Sequence, residues 1–188
     1  MQATTDDKQV SGNTAQRRLF FAWWPSVEAR SGLHQLAQER VPDHNARLTR
    51  RDKIHLTLAF LGPVDEAFAE CARKAAGSIP WQPFSLVFDR LGWFPKARVM
   101  WAGCSGASPQ LADLVSQLNE GLVECGFQPD SRRFHAHLTL ARKVSRSPDA
   151  IEIPARECRF DGFTLVESVL EPDGAHYEVL DTFDPPAR

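Results

Sequence analysis

The sequence predicts an α+β fold in which two similar lobes of antiparallel sheet, with helices outside, flank a central cleft. Three observations carry this expectation. One strand-like segment occurs twice, as His55-Leu56-Thr57-Leu58-Ala59 and as His137-Leu138-Thr139-Leu140-Ala141. Each half of the chain also offers a segment whose apolar residues recur at helical spacing, and the other apolar runs are short and bounded by glycine or proline. A motif present only twice indicates an internal duplication and not a solenoid array.

Taken in order, Met1 to Gln16 is polar and is expected to be a disordered tail, which leaves 17–188 as a single bilobal domain. Leu19-Phe20-Phe21-Ala22-Trp23-Trp24, stopped by Pro25, predicts a buried strand. From Ser26 to Arg40 the residues Val27, Leu33, Leu36 and Ala37 share one helical face, with Gly32 as a weak point and Pro42 beyond the end. Ile54 to Leu61 reads as a strand ended by Gly62-Pro63, and Asp65 to Ala76 as a helix with Asp65 and Glu66 in its first turn. Phe84 to Phe88 and Ala97 to Ala102 are expected to pair antiparallel across a connection containing Gly and Pro. Leu111, Leu114, Val115, Leu118 and Leu122 predict a helix over Ser108 to Cys125, closed by Gly126. Strands over Ala136 to Arg142, Gly162 to Leu170 and Tyr177 to Phe183 complete the expectation.

With 43% hydrophobic and 24% charged residues, the 188-residue chain has a globular composition, which excludes disordered and fibrous classes. Its formal net charge of -2 argues against a broad nucleic-acid-binding track and for a local pocket at most. No apolar run approaches the roughly 20 residues of a membrane span, and the first residues lack the apolar core of a secretory signal. A cytoplasmic protein with no membrane contact is therefore the expectation, and the assembly expected separately is a monomer. Cys71, Cys104, Cys125 and Cys158 are widely separated, without a Cys-x-x-Cys pair or a histidine spaced for zinc, and are expected to be buried thiols in a reducing compartment.

Strand alternation puts His55, Thr57 and Ala59 on one face and Leu56, Leu58 and Phe60 on the other. The second copy repeats this with His137, Thr139 and Ala141 against Leu138 and Leu140. Two residues span roughly 6–7 Å along a strand, so each threonine reaches the group that its own histidine touches. Imidazoles, with an ordinary pKa of about 6.5, serve as base and as acid near neutrality, and two of them suit opposite sides of one phosphorus. Threonine hydroxyls suit the non-bridging oxygens, and no metal or cofactor is needed. One His-x-Thr on a strand is ordinarily a tolerated polar face; two copies sharing five consecutive residues argue for a site.

These motifs, HLTLAFLG over 55–62 and FHAHLTLAR over 134–142, resemble those of the two-histidine phosphoesterases. Arg18-Leu19-Phe20-Phe21-Ala22, Phe84-Ser85-Leu86 and Val99-Met100-Trp101-Ala102-Gly103 extend the resemblance nearly end to end. Within that family the chain resembles the bacterial and archaeal RNA 2',3'-cyclic phosphodiesterases, also called 2'-5' RNA ligases. The resemblance implies hydrolysis of 2',3'-cyclic phosphate ends of RNA or nucleotides to 2'-phosphates, with 2'-5' joining as the reverse. It implies His55 and His137 as acid and base without ordering them; our own expectation is that His137 activates water and His55 protonates the leaving oxygen. Thr57 and Thr139 become phosphate anchors and Arg142 a phosphate contact, although Arg142 has the wrong simple parity for the histidine face. Ala136, preceded by His135, stands where the family often has proline.

Phe20 is a candidate platform for a nucleobase, against the commoner role of a first-strand aromatic in the core. Arg47, Arg50, Arg51 and Lys53 before the first motif, and Arg132, Arg133, Arg142 and Lys143 around the second, form an expected basic rim. Two other functions compete. One is hydrolysis of a different small cyclic phosphate; the other is a non-enzymatic nucleotide-binding module, against which the presence of both histidines and both threonines counts.

Overall fold

Leucine at alternate positions commits both motif segments to strands with one buried side, and Leu56, Leu58, Leu138 and Leu140 are all buried. The computed structural model describes residues 16–148, 151–172 and 174–186, so the expected tail lies outside the described residues except for Gln16. In chain order the elements are β1 (Arg17–Trp23), α1 (Val27–Arg40), β2 (Arg47–Leu48), β3 (Leu56–Val64), α2 (Glu66–Gly77), β4 (Phe84–Phe94) and β5 (Val99–Gly103). They continue with α3 (Pro109–Val123), β6 (His137–Arg142), β7 (Glu152–Phe160), β8 (Phe163–Glu171) and β9 (Gly174–Phe183). Ser26, Asp65 and Ser108 cap α1, α2 and α3 by accepting the N–H of Ala29, Phe68 and Leu111.

One antiparallel sheet runs in the order β7-β4-β5-β6-β3-β1-β8-β9, with β2 added to β6. The predicted lobes are its two halves, β3-β1-β8-β9 and β7-β4-β5-β6. They meet where Leu56 of β3 pairs with Leu138 of β6. The helices cross over: α1, which leads to β3, packs against β6, while α3, which leads to β6, packs against β3. Gly32, the weak point in α1, lies where Arg156 of β7 presses on the helix; a Cβ there would stand 2.5 Å from Nη1.

Several boundaries differ from expectation for identifiable reasons. Gly62-Pro63 does not end β3, because Gly62 takes φ +74° and pairing with β1 continues through Val64. Past Leu56 the other edge of β3 has left β6, and a proline is tolerated there. The early part of β4 pairs with β7, and only Arg90 to Phe94 pairs with β5. Strand β7 has no counterpart in the sequence expectation because Pro154 and its charged residues mask any strand alternation, as is common at a sheet edge.

The cysteine expectation is corrected for one pair: Cys71 and Cys125 form a disulfide between α2 and the residues just after α3. The cause is a close helix contact. Gly121 lies against Ala75, where a Cβ on the glycine would stand 3.1 Å from that of alanine, and one turn along each helix from this contact brings the two cysteines together. Cys104 and Cys158 are thiols as expected; burial and Asp89 push the Cys104 thiol up to about 11. The disulfide closes a sequence separation of 54 residues, and Cys71→Ser is expected to cost roughly 2–4 kcal/mol. Urea midpoints of the two proteins check this, and equal midpoints would show that the cross-link contributes nothing.

Candidate active site

The register at the lobe junction places the four motif side chains. In an antiparallel pair the residues flanking a bridge lie opposite one another, so pairing Leu56 with Leu138 turns His55 toward Thr139 and Thr57 toward His137. Each histidine thus faces the other motif's threonine as well as sharing a face with its own. All four are half-buried and line one cavity of about 780 Å3. Two residues span roughly 6–7 Å along a strand, so the histidine and threonine of each motif can reach one phosphate held between the two strands.

Both imidazoles are held in the same way. His55 Nδ1 donates to the Lys53 carbonyl at 2.9 Å, and His137 Nδ1 donates to the His135 carbonyl at 2.8 Å. A carbonyl only accepts, so each Nδ1 carries the proton and each Nε2 is the free nitrogen. Burial brings the His55 pKa down to about 4; the Lys53 carbonyl opposes this, and the charges of Arg142 and His137 add to it. Burial also lowers His137, against the His135 carbonyl and with the charges of His135 and Arg142. Both rings are therefore neutral at pH 7 in the free protein, and Arg142 is electrostatically coupled to both.

A matched irregularity reverses the strand parity in each motif. Along β3, Ala22 pairs with Thr57 and Phe21 with Ala59, which skips Leu58. Along β6, Trp101 pairs with Thr139 and Met100 with Ala141, which skips Leu140. An extra residue exchanges the faces of everything beyond it. Arg142 consequently lines the cavity with His137 and Thr139, and the conflict with its simple parity disappears. Phe60, expected on the leucine face, is corrected by the same bulge: it is 50% exposed, lines the cavity, and has the Arg18 guanidinium 4.8 Å from its ring centre. Ala59 and Ala141, expected beside the histidines, are buried.

Aromatic rings enclose His55. The centres of Phe20, Trp24 and Tyr177 lie 5.3, 5.0 and 5.3 Å from its own. Phe20 lines the cavity at only 4% exposure, with Trp24, His55 and Tyr177 around it, so little of its ring is open to a base. Trp24 and Tyr177 carried no sequence signal for this placement, since it is strand pairing that sets β9 beside β8 and β8 beside β1. Around the second motif, Phe94 meets His137 edge-on at 5.1 Å and Trp101 lies 4.5 Å from His135. His135 itself is exposed and does not line the cavity.

The cavity is cationic throughout. Arg18, Arg47, Arg50, Lys53, Arg98, Arg142 and Lys143 line it, and no carboxylate does among the described residues. Arg50 is paired with Asp52, Lys53 Nζ donates to the Ala175 carbonyl at 2.6 Å, and Arg98 donates to the Lys143 carbonyl. Arg51, Arg132 and Arg133 do not line it, and Arg132 is engaged by Asp130. The loop before His55 is strapped by Thr49 N–H to the Leu140 carbonyl and by Trp24 Nε1 to the Asp52 carbonyl, which steadies the carbonyl that holds His55. Among the described residues no group of three or more His, Cys, Asp or Glu is placed to hold a metal ion.

Residues 23–169 match the family model of the 2'-5' RNA ligase superfamily. The chain belongs to that superfamily. It is 28% identical to an RNA 2',3'-cyclic phosphodiesterase of Archaeoglobus fulgidus, over 89% of this chain and 99% of the relative. It is 33% identical to an enzyme of the same name from Escherichia coli K12, over 73% of this chain and 77% of the relative. The crystal structure of E. coli LigT complexed with 3'-AMP superposes with a TM-score of 0.82 at 29% identity, covering 92% of this chain and 99% of that one.

For this 2'-5' RNA ligase superfamily member the electrostatics make a direct prediction. Histidine ring signals followed by NMR should show His55 titrating near pH 4, and inorganic phosphate in the cleft should raise both motif histidines by offsetting their desolvation. Arg142→Gln should raise both as well, because it removes a shared positive neighbour. A His55 that titrates near 6.5 in the free protein would show that its ring is not desolvated in the cleft.

Proposed function

We propose that the protein is a phosphoric diester hydrolase that opens 2',3'-cyclic phosphate ends of RNA or nucleotides to 2'-phosphates. The observation that carries this reading is the junction of β3 with β6, where two histidines and two threonines converge on a cationic cavity that no carboxylate lines among the described residues. In the proposed reaction His137 Nε2 takes a proton from water as the water oxygen attacks phosphorus. The bond from phosphorus to O3' breaks in line, and His55 Nε2–H delivers the proton to O3'. Thr57, Thr139 and Arg142 hold the phosphoryl oxygens on which charge accumulates, and Phe20 forms the floor beneath His55.

The low intrinsic basicity of His55 has a consequence for the acid role. Its proton must be stabilised by the substrate's own negative charge, so binding and arming of the acid are linked. A 5'-hydroxyl in place of water turns the same chemistry, run from the cyclic phosphate, into 2'-5' joining. We further propose that residues 17–188 fold as one bilobal domain, a reading supported by the continuous sheet and crossed helices, and that the enzyme is a cytoplasmic monomer. The disulfide removes the all-thiol argument for the cytoplasm, which then rests on the substrate class; light scattering tests the monomer.

Release of 2'-phosphate from a cyclic-ended oligonucleotide tests the reaction. Wild type should be active with and without chelator, and His55→Ala and His137→Ala should each be slower by roughly a hundred to ten thousandfold. Loss of wild-type activity with chelator, or full activity in both variants, would overturn the mechanism. Turnover confined to a different small cyclic phosphate would redirect the substrate.

A further inference from the structure

The two motifs agree at the cleft-facing positions before their bulges, His55 with His137 and Thr57 with Thr139, and differ at the position after them. There the second motif presents Arg142 and the first presents Phe60. A cyclic phosphate held between the motifs is itself unsymmetrical: one side faces water, and the other carries the ribose and the rest of the strand. A guanidinium suits the charged side of such a ligand, and an aromatic ring suits the side on which bases follow.

Phe60 has the features of a platform. It is half exposed where most large apolar side chains are buried, and Arg18, its neighbour on β1, covers it in cation–π geometry. Among the described residues the Arg18 guanidinium has no hydrogen bond or ion pair, so its donors are uncommitted. Across the β1–β8 pairing the strip continues with Ser168 and Leu170, which also line the cavity, and Leu170 is 75% exposed. Apolar faces interleaved with cations are the usual equipment for a single nucleic-acid strand.

We propose that Phe60 and Arg18 form a subsite for the nucleotide preceding the cyclic end, with its base stacked on the phenyl face that Arg18 leaves uncovered and the linking phosphate at the guanidinium. The proposal rests on the reading that an RNA end occupies the cleft. It assigns substrate length preference to the lobe carrying the first motif, and it makes a dinucleotide the shortest fully held substrate.

The test compares a 2',3'-cyclic mononucleotide, a cyclic-ended dinucleotide and the same dinucleotide lacking its first base. Wild type should prefer the intact dinucleotide in kcat/KM, chiefly through KM. Phe60→Ala should reduce that preference by about 5- to 100-fold, Phe60→Trp should retain it, and removing the first base should matter in wild type but not in Phe60→Ala. Arg18→Gln should flatten the salt dependence of dinucleotide KM by about 0.7 in log–log slope, the share of one phosphate on a single strand. Absence of a wild-type preference, or equal losses on all three substrates in Phe60→Ala and Arg18→Gln, would overturn the subsite. Failure of wild type to turn over any of the three would instead overturn the underlying reading.

Discussion

Pairing of Leu56 with Leu138 is the constraint from which the geometry of the cleft follows. The two leucines bury their side chains among residues of the core, and the backbone bridge between them fixes which residues of the two strands stand opposite. Because the side-chain period of a strand is two, a slip of one residue at this point would send a histidine and a threonine into the core and bring leucines into the cavity. Apolar packing on the hidden face therefore specifies the chemistry on the open one. The strands diverge beyond the bridge, which widens the cavity and lets β2 pair with the end of β6.

Much of this was readable from the amino acids. The alternation of His55, Leu56, Thr57 and Leu58, and its repeat at His137, identified the strands, the duplication and the open face. What could not be read depends on partners. Phe60 and Arg142 obey strand parity until Leu58 and Leu140 are skipped, and that skip is defined by the neighbouring strands β1 and β5. The Cys71–Cys125 bond depends on the close approach of Gly121 to Ala75, between helices distant in the chain. Strand β7, with alternation hidden by Pro154 and charges, is recognisable only by its pairing with β4.

Charge separation explains how a nearly neutral chain maintains a cationic cavity. Several carboxylates are occupied elsewhere: Glu66 and Glu167 engage Arg17, while Glu66, Glu70 and Asp181 engage Arg73 near the junction of α2 with β9. These partly exposed networks tie helix to sheet, and each pair contributes little by itself. Their larger effect is positional. With those acids held at a distance, Arg18 and Arg142 keep their donors available at the cavity, and net charge says little about the local field.

The crossed helices give the two halves a mechanical relation that sequence duplication alone does not imply. Since α1 braces the motif strand of the opposite half and α3 returns the same support, the jaws of the cleft are laced together from behind. Spreading them would peel helices from both strands at once and expose a large part of the shared interior. The gap between the histidines thus behaves as a fixed gauge, and selection among ligands falls to side chains at the rim instead of to closure of one half upon the other.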